Sequence, residues 1–140
     1  METNIGIGLL GLGTVGTGVV NILQEPEGRN PLVSKIKLWK IAVRDIKRPR
    51  SIQLDNSMLT EDPLEVVDNP NIQVVIEVIG GIEPARTLIL RAIKSGKSIV
   101  TANKAVIARH GEEIAAAAKA SGVYVLIEAA VGGGIPIIEP

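Results

Sequence analysis

The residues with the clearest chemical meaning form a glycine-rich turn between two apolar segments. Gly11, Gly13 and Gly16 have the spacing G-x-G-x-x-G and follow an apolar run over residues 5–10. An apolar pattern of helical period comes next, at Val15, Val19, Val20 and Leu23. In such a unit the first glycine allows a sharp turn, the second lets the backbone approach a pyrophosphate, and the third lets the helix pack on the strand. The pattern predicts a dinucleotide-binding turn; the alternative is an ordinary strand–helix turn with extra glycines.

A basic segment follows the second predicted strand, which covers residues 35–43. It begins with Arg44 and Asp45. A carboxylate here usually binds the adenosine ribose of NAD, whereas an arginine accommodates the 2′-phosphate of NADP. Because Arg44 comes first and more basic residues follow, NADP is favoured and NAD is the alternative. Arg48 and Arg50 are expected to be solvated.

Residues near the ends of later strands are further candidates. Glu77 interrupts an apolar run, where it either accepts hydrogen bonds from backbone N–H groups or points into the cleft. Gly80 lies either where the chain passes a cofactor or in a simple tight turn. Lys104 either contacts cofactor or substrate or is an ordinary surface lysine. The single histidine, His110, is expected at the surface and is not nominated as a catalyst.

The elements that must position these residues alternate between strands and helices. Predicted strands cover 5–10, 35–43, 72–79, 98–101 and 123–129. Predicted helices cover 14–24 and 105–120, the latter interrupted near Gly111, and two more begin at Asp62-Pro63 and Glu83-Pro84. This alternation predicts an α/β fold, a single Rossmann-like domain with a doubly wound parallel sheet, whose ligands bind beyond the carboxyl ends of the strands.

Composition narrows the functional class. The chain has 140 residues, enough for one domain, and 46% of them are hydrophobic. Fifteen basic residues balance fifteen acidic ones, which gives no support to a nucleic-acid or membrane-surface role. The lack of cysteine excludes disulfides, thiolate metal sites and a cysteine nucleophile. No signal peptide is evident and no apolar run approaches the ~20 residues of a membrane span, so a cytoplasmic protein is expected.

Five segments together resemble the N-terminal part of homoserine dehydrogenases. They are 11–20, 42–45, 75–84, 96–105 and 128–138. The resemblance implies an NAD(P)-dependent oxidoreductase that interconverts L-homoserine and L-aspartate 4-semialdehyde in threonine and methionine biosynthesis. Two rival interpretations are a free-standing nucleotide-sensing module and the cofactor half of another amino-acid dehydrogenase.

The resemblance also assigns roles to individual residues. The expected cofactor-binding residues are Gly11, Leu12, Gly13, Thr14, Val15, Gly16, Arg44, Gly80 and Lys104. Among these, Arg44 matches the position that meets the NADP 2′-phosphate, and Lys104 matches a lysine at the cofactor. A sodium site made largely of main-chain oxygens is implied at Glu128, Val131, Gly133 and Ile135.

One departure from the family concerns length. Its members continue into a substrate and dimerisation domain that supplies the lysine and aspartate associated with proton transfer. No catalytic residue is therefore expected within residues 1–140, and the catalytic groups are expected downstream of Pro140. The chain is expected to bind NADP(H) with little catalysis, and a homodimer is expected only for the full-length enzyme.

Overall fold

The computed structural model describes residues 4–127, which form a six-stranded parallel β-sheet with helices on both faces. The strands are β1 (Ile5–Leu10), β2 (Ile36–Ala42), β3 (Leu59–Thr60), β4 (Val74–Glu77), β5 (Ser98–Thr101) and β6 (Val125–Leu126). The α-helices are α1 (Thr14–Gln24), α2 (Leu64–Val67), α3 (Ala85–Lys94) and α4 (Lys104–Ser121). Short 3₁₀ helices cover Pro31–Lys35 and Asn56–Met58. None of the helices within this range is long and apolar enough to cross a membrane.

The strand order is β3-β2-β1-β4-β5-β6, and every neighbouring pair is parallel. From β1 the chain adds β2 and β3 on one side of the sheet and then crosses to add β4, β5 and β6 on the other side of β1. The switch point therefore lies between β1 and β4. In such sheets ligands bind at this switch point, beyond the carboxyl ends of the strands. The predicted Rossmann-like doubly wound sheet is confirmed.

The core is divided by the sheet into two apolar clusters. Successive side chains of a strand point to opposite faces, and Leu9 and Leu10, both fully buried, belong to different clusters. Leu9 packs in the cluster that holds Val20 of α1, and Leu10 packs in the cluster that holds α2, α3 and α4. Helix α1 therefore covers one face and the other helices cover the opposite face.

Most predicted elements are present, with shorter strands. The bounds of β1, α1 and β5 agree with the prediction, and α4 contains a non-helical residue at His110, next to the predicted break. Strand β4 ends at Glu77 rather than at residue 79, because the N–H groups of Ile79 and Gly80 donate to the Glu77 carboxylate. The two-residue strand β3 was not predicted.

Candidate dinucleotide-binding site

A cleft of about 480 Å³ opens beyond the carboxyl ends of β1 and β2. Gly11, Leu12, Gly13 and Arg44 of the predicted cofactor set line it. Its remaining wall comes from the segments that follow β2, β3 and β4. The structure therefore brings the glycine-rich turn and the basic segment to one cavity.

The three glycines of the turn have three different environments. Gly11 has a φ of 100°, a conformation that favours glycine, and its N–H donates to the Ala42 oxygen at 3.0 Å. A Cβ on Gly16 would lie 2.5 Å from the Gly11 oxygen, so Gly16 permits close packing of helix on strand. Among residues 4–127, no heavy atom apart from its own chain neighbours lies within 4 Å of a Cβ built on Gly13. Gly13 is thus the glycine that leaves space beside the backbone for a ligand.

The N-terminus of α1 is open to an anion. Its N-cap residue is Gly13, no side chain caps it, and its first turn contains no acidic residue. The N-terminus of α4 differs, since the Asn103 side chain accepts from the Val106 N–H at 3.2 Å. Free N–H groups and the helix dipole favour negative charge at such an end. The geometry suits a pyrophosphate.

The other fingerprint residues lie beside the cleft without lining it. Thr14 and Val15 are exposed in the first turn of α1, and Gly16 is buried beneath them. In the helical pattern that the sequence predicted, Val20 is fully buried, whereas Val15 is 55% exposed. The apolar face of α1 therefore begins one turn later than the pattern indicates.

Arg44 is an exposed residue at the rim of the cleft. Within residues 4–127 it makes no side-chain hydrogen bond or ion pair, so its guanidinium is available to a ligand. The Asp45 carboxylate accepts from the Lys47 N–H at 2.8 Å, which closes a tight turn. The Arg44 guanidinium therefore lies beside the cleft, on a loop whose conformation is fixed by this turn.

Arg50, which was expected to be solvated, is partly exposed and also has a structural role. Its guanidinium donates to the oxygens of Asp45 at 2.8 Å, Arg48 at 2.9 Å and Ile46 at 3.3 Å. It therefore holds the basic loop in shape. Arg48 is exposed, as expected, but it also lines the cleft.

Sequence reasoning missed the opposite wall of the cleft. Its apolar members are Pro63, Ile79, Pro84 and Leu88, and these side chains suit a flat ring such as a purine. Glu61 also lines the cleft, and its carboxylate accepts from the Ile46 N–H at 3.1 Å. These residues form no recognisable sequence motif. They lie in separate segments, which the fold of the sheet brings to one cleft.

Glu77 lies under the site and does not line it. It is fully buried at the end of β4, where it accepts from the N–H groups of Ile79 at 2.8 Å and Gly80 at 3.3 Å. The Thr101 hydroxyl donates to its other oxygen at 2.8 Å. The interpretation of Glu77 as a structural acceptor is confirmed.

Gly80 and Lys104 are not brought into the cleft. Gly80 is exposed with a φ of 82°, and Lys104 is an exposed residue that begins α4. Like Thr14, Val15 and Gly16, these two members of the predicted cofactor set do not line the cleft. His110 lies at the surface, with Nδ1 3.4 Å from the Glu113 carboxylate, as expected.

Two predictions concern positions outside the described residues. One is the sodium site, whose candidate ligands are Glu128, Val131, Gly133 and Ile135. The other is the location of the catalytic groups downstream of Pro140, which itself lies outside the described range. Both stay predictions.

Comparison with known proteins identifies the family. The family described as "Homoserine dehydrogenase, NAD binding domain" matches residues 11–128. A homoserine dehydrogenase of Synechocystis sp. is 59% identical over 134 residues, covering 96% of this chain and 31% of that protein. One from Bacillus subtilis is 42% identical over 137 residues, covering 96% of this chain and 32% of that protein.

A solved structure gives the same answer. The crystal structure of a homoserine dehydrogenase from Thiobacillus denitrificans superposes with a TM-score of 0.80 at 44% identity, covering 96% of this chain and 31% of that one. This chain thus spans about a third of the length of these relatives. The sheet order, the glycine-rich turn and these matches agree, and the chain belongs to the homoserine dehydrogenase family as its NAD(P)-binding domain.

Proposed function

We propose that the chain binds NADP(H), with the pyrophosphate at the N-terminus of α1 and the adenosine half in the cleft. The observation that carries this proposal is the open space beside Gly13 at a helix end that no side chain caps. An anion there receives backbone N–H donors and the positive end of the helix dipole. The apolar wall opposite the turn suits the adenine ring.

Arg44 supports NADP over NAD. A guanidinium matches phosphate geometry with two parallel donors, and Arg44 stands at the cleft with both donors available. Asp45, the carboxylate that would favour a ribose hydroxyl, also lines the cleft, and one of its oxygens accepts from the Lys47 N–H. The 2′-phosphate is therefore assigned to Arg44.

The nicotinamide half is assigned to the other side of the switch point, near the ends of β4 and β5. A doubly wound sheet binds the two nucleotide halves on its two βαβαβ units. Gly80 and Lys104 are the predicted cofactor residues on that side. Their place beyond the cleft is consistent with contact to the distal half.

In the whole enzyme the cofactor supplies a hydride, which passes between its nicotinamide ring and the carbonyl carbon of L-aspartate 4-semialdehyde. A proton must reach the carbonyl oxygen to give L-homoserine. The described residues bind and orient the cofactor, and we assign substrate binding, proton transfer and dimer contacts to the part of the relatives that this chain does not match. The chain by itself is expected to bind without turnover. The sodium site and the cytoplasmic location stay predictions.

Calorimetric titration with NADPH and NADH tests the proposal. The Arg44→Ala variant should lose roughly 10- to 100-fold in NADPH affinity, the value of charge-assisted hydrogen bonds, and less than about threefold in NADH affinity. Arg29→Ala is the matched control, because Arg29 lies beyond the far end of α1 and its exposed side chain donates to the Glu25 oxygen, its one hydrogen bond within the described part of the chain. Equal losses for both cofactors would refute the role of Arg44. Absence of binding by the wild-type chain at millimolar cofactor would refute the proposed function.

A further inference from the structure

The loops that follow β4 and β5 are joined by a closed chain of buried hydrogen bonds. Glu77 and Thr101 are fully buried and Asn103 is 3% exposed. The Thr101 hydroxyl donates to Glu77 Oε1 at 2.8 Å and accepts from the Asn103 N–H at 3.0 Å. The Asn103 amide then donates to the Gly81 oxygen at 2.6 Å. This series of hydrogen bonds starts at Glu77, at the end of β4, and ends at Gly81, four residues further along the same loop.

Each group in this network has a defined donor or acceptor role. A carboxylate without partners is costly to bury, and Glu77 meets three donors: the Thr101 hydroxyl and the N–H groups of Ile79 and Gly80. The Thr101 hydroxyl proton is directed to Glu77, so a lone pair of the Thr101 hydroxyl oxygen is free to accept from the Asn103 N–H. Removing one member leaves another buried polar group without a partner.

The network holds two segments that border the candidate site. On one side, Val78 and Ile79 line the cleft, and a Cβ on Gly11 would lie 3.1 Å from the Val78 oxygen, so the loop abuts the glycine-rich turn. On the other side, Asn103 caps α4, whose first residue is Lys104. The hydrogen bonds thus set the position of both segments relative to the turn.

We propose that Glu77 and Thr101 are positioning residues that hold these two loops as one preformed support for the nicotinamide half of the cofactor. The inference rests on the proposed function. Neither side chain touches the ligand; both act through the backbone of residues 78–81 and through Asn103. The Arg44 side of the adenosine half, beyond β2, is independent of them, and only Val78 and Ile79 of the cleft belong to the loop that they hold.

The test compares Thr101→Val with Thr101→Ser, which keeps the hydroxyl. Calorimetry measures two ligands: NADPH, which needs both halves of the site, and 2′,5′-ADP, which carries only the adenosine half. Thr101→Val should weaken NADPH binding roughly tenfold, the size of a hydrogen bond. It should weaken 2′,5′-ADP binding by less than about threefold, because only Val78 and Ile79 of the adenosine cleft belong to the loop that Thr101 helps to hold. Thr101→Ser should bind NADPH with about the affinity of wild type. Equal losses for the two ligands, or no loss of NADPH affinity, would overturn the proposal.

Amide hydrogen exchange without ligand gives a second measurement. Thr101→Val should speed exchange at residues 79–81 and at 103–106 by similar factors, because both segments lose the same link. If Thr101→Val does not fold, Glu77→Gln replaces it, since glutamine has one acceptor oxygen and its NH2 group must face either the Thr101 hydroxyl or the N–H groups of Ile79 and Gly80. Faster exchange in only one segment would overturn the coupling. A wild-type chain that binds neither ligand would refute the proposed function, and the exchange result would still decide whether the loops are coupled.

Discussion

The carbonyl oxygen of Gly11 lies so close to Gly16 that a Cβ atom on residue 16 would stand 2.5 Å from it. This contact joins the end of β1 to the first turn of α1 without any side chain. It sets the direction in which the N-terminus of α1 points. The proposed anion site is therefore positioned by backbone packing.

Gly16→Ala should destabilise the fold. The added methyl group meets a backbone oxygen that cannot move without shifting β1, and overpacking of this kind costs about 1–3 kcal/mol. Urea unfolding followed by circular dichroism measures the change. An unchanged midpoint would show that the turn adjusts and that the close contact is not required.

Lys97→Met should also destabilise the fold. Lys97 is 5% exposed, and its ammonium donates to the oxygens of Asn69 at 2.5 Å and Ile72 at 2.7 Å, while burial lowers the pKa of this lysine. Methionine leaves both oxygens without that donor, a loss of about 1–3 kcal/mol in the free energy of unfolding. Lys94→Met, at an exposed position on α3, is the control and should stay within about 0.5 kcal/mol. Equal unfolding midpoints for the two variants would contradict the role of Lys97.

Stability should fall as the pH drops below about 4.5. The hydrogen bonds from Arg86 hold the pKa of Glu113 below its usual value of 4.5, and Arg91 lowers the pKa of Asp68 in the same way. Because the folded-state pKa is the lower one, the unfolded chain binds more protons and the stabilisation is lost as pH falls through the folded-state pKa.

Urea unfolding between pH 7 and pH 3 measures this dependence. Glu113→Gln should be less stable than wild type at pH 7, and its stability should fall less steeply in acid. Parallel curves for wild type and variant would show that the Arg86–Glu113 pair does not contribute to the acid sensitivity.

The turn and its flanking elements were predictable because their signals are local. Gly11, Gly13 and Gly16 mark the junction, and β1 and α1 have the predicted bounds. Strand β3 was not predictable, since Leu59 and Thr60 carry no period and form a strand only by pairing with the end of β2. The sequence pattern supplies no information on such a partner.

The site was predicted only in part, because several of its contacts are non-local. The contacts of Arg50 are local, with Asp45, Ile46 and Arg48, but they depend on a loop conformation that residue types and periodicity do not specify. The wall containing Pro63 and Leu88 is assembled by elements far apart in the chain. A residue that leaves backbone exposed at a helix end, such as Gly13, is recognisable from the spacing of the glycines. Residues that only line the cleft, such as Pro63 and Leu88, are not recognisable from the sequence.

The most direct measurement of the central claim is calorimetric titration of NADPH into Gly13→Ala and Gly18→Ala. Within residues 4–127, neither new methyl group has a heavy atom within 4 Å apart from its chain neighbours and the backbone of its own helix. Gly13 has extended backbone with a negative φ (φ −83°, ψ −150°), so it does not adopt the left-handed conformation that favours glycine. Both variants should fold, and Gly18→Ala, in the interior of α1, should gain about 0.5–1 kcal/mol of stability. We predict that Gly18→Ala binds NADPH like wild type and that Gly13→Ala loses binding, because its methyl group occupies the space assigned to the pyrophosphate. Wild-type affinity in a folded Gly13→Ala variant would contradict the placement of the cofactor at the N-terminus of α1.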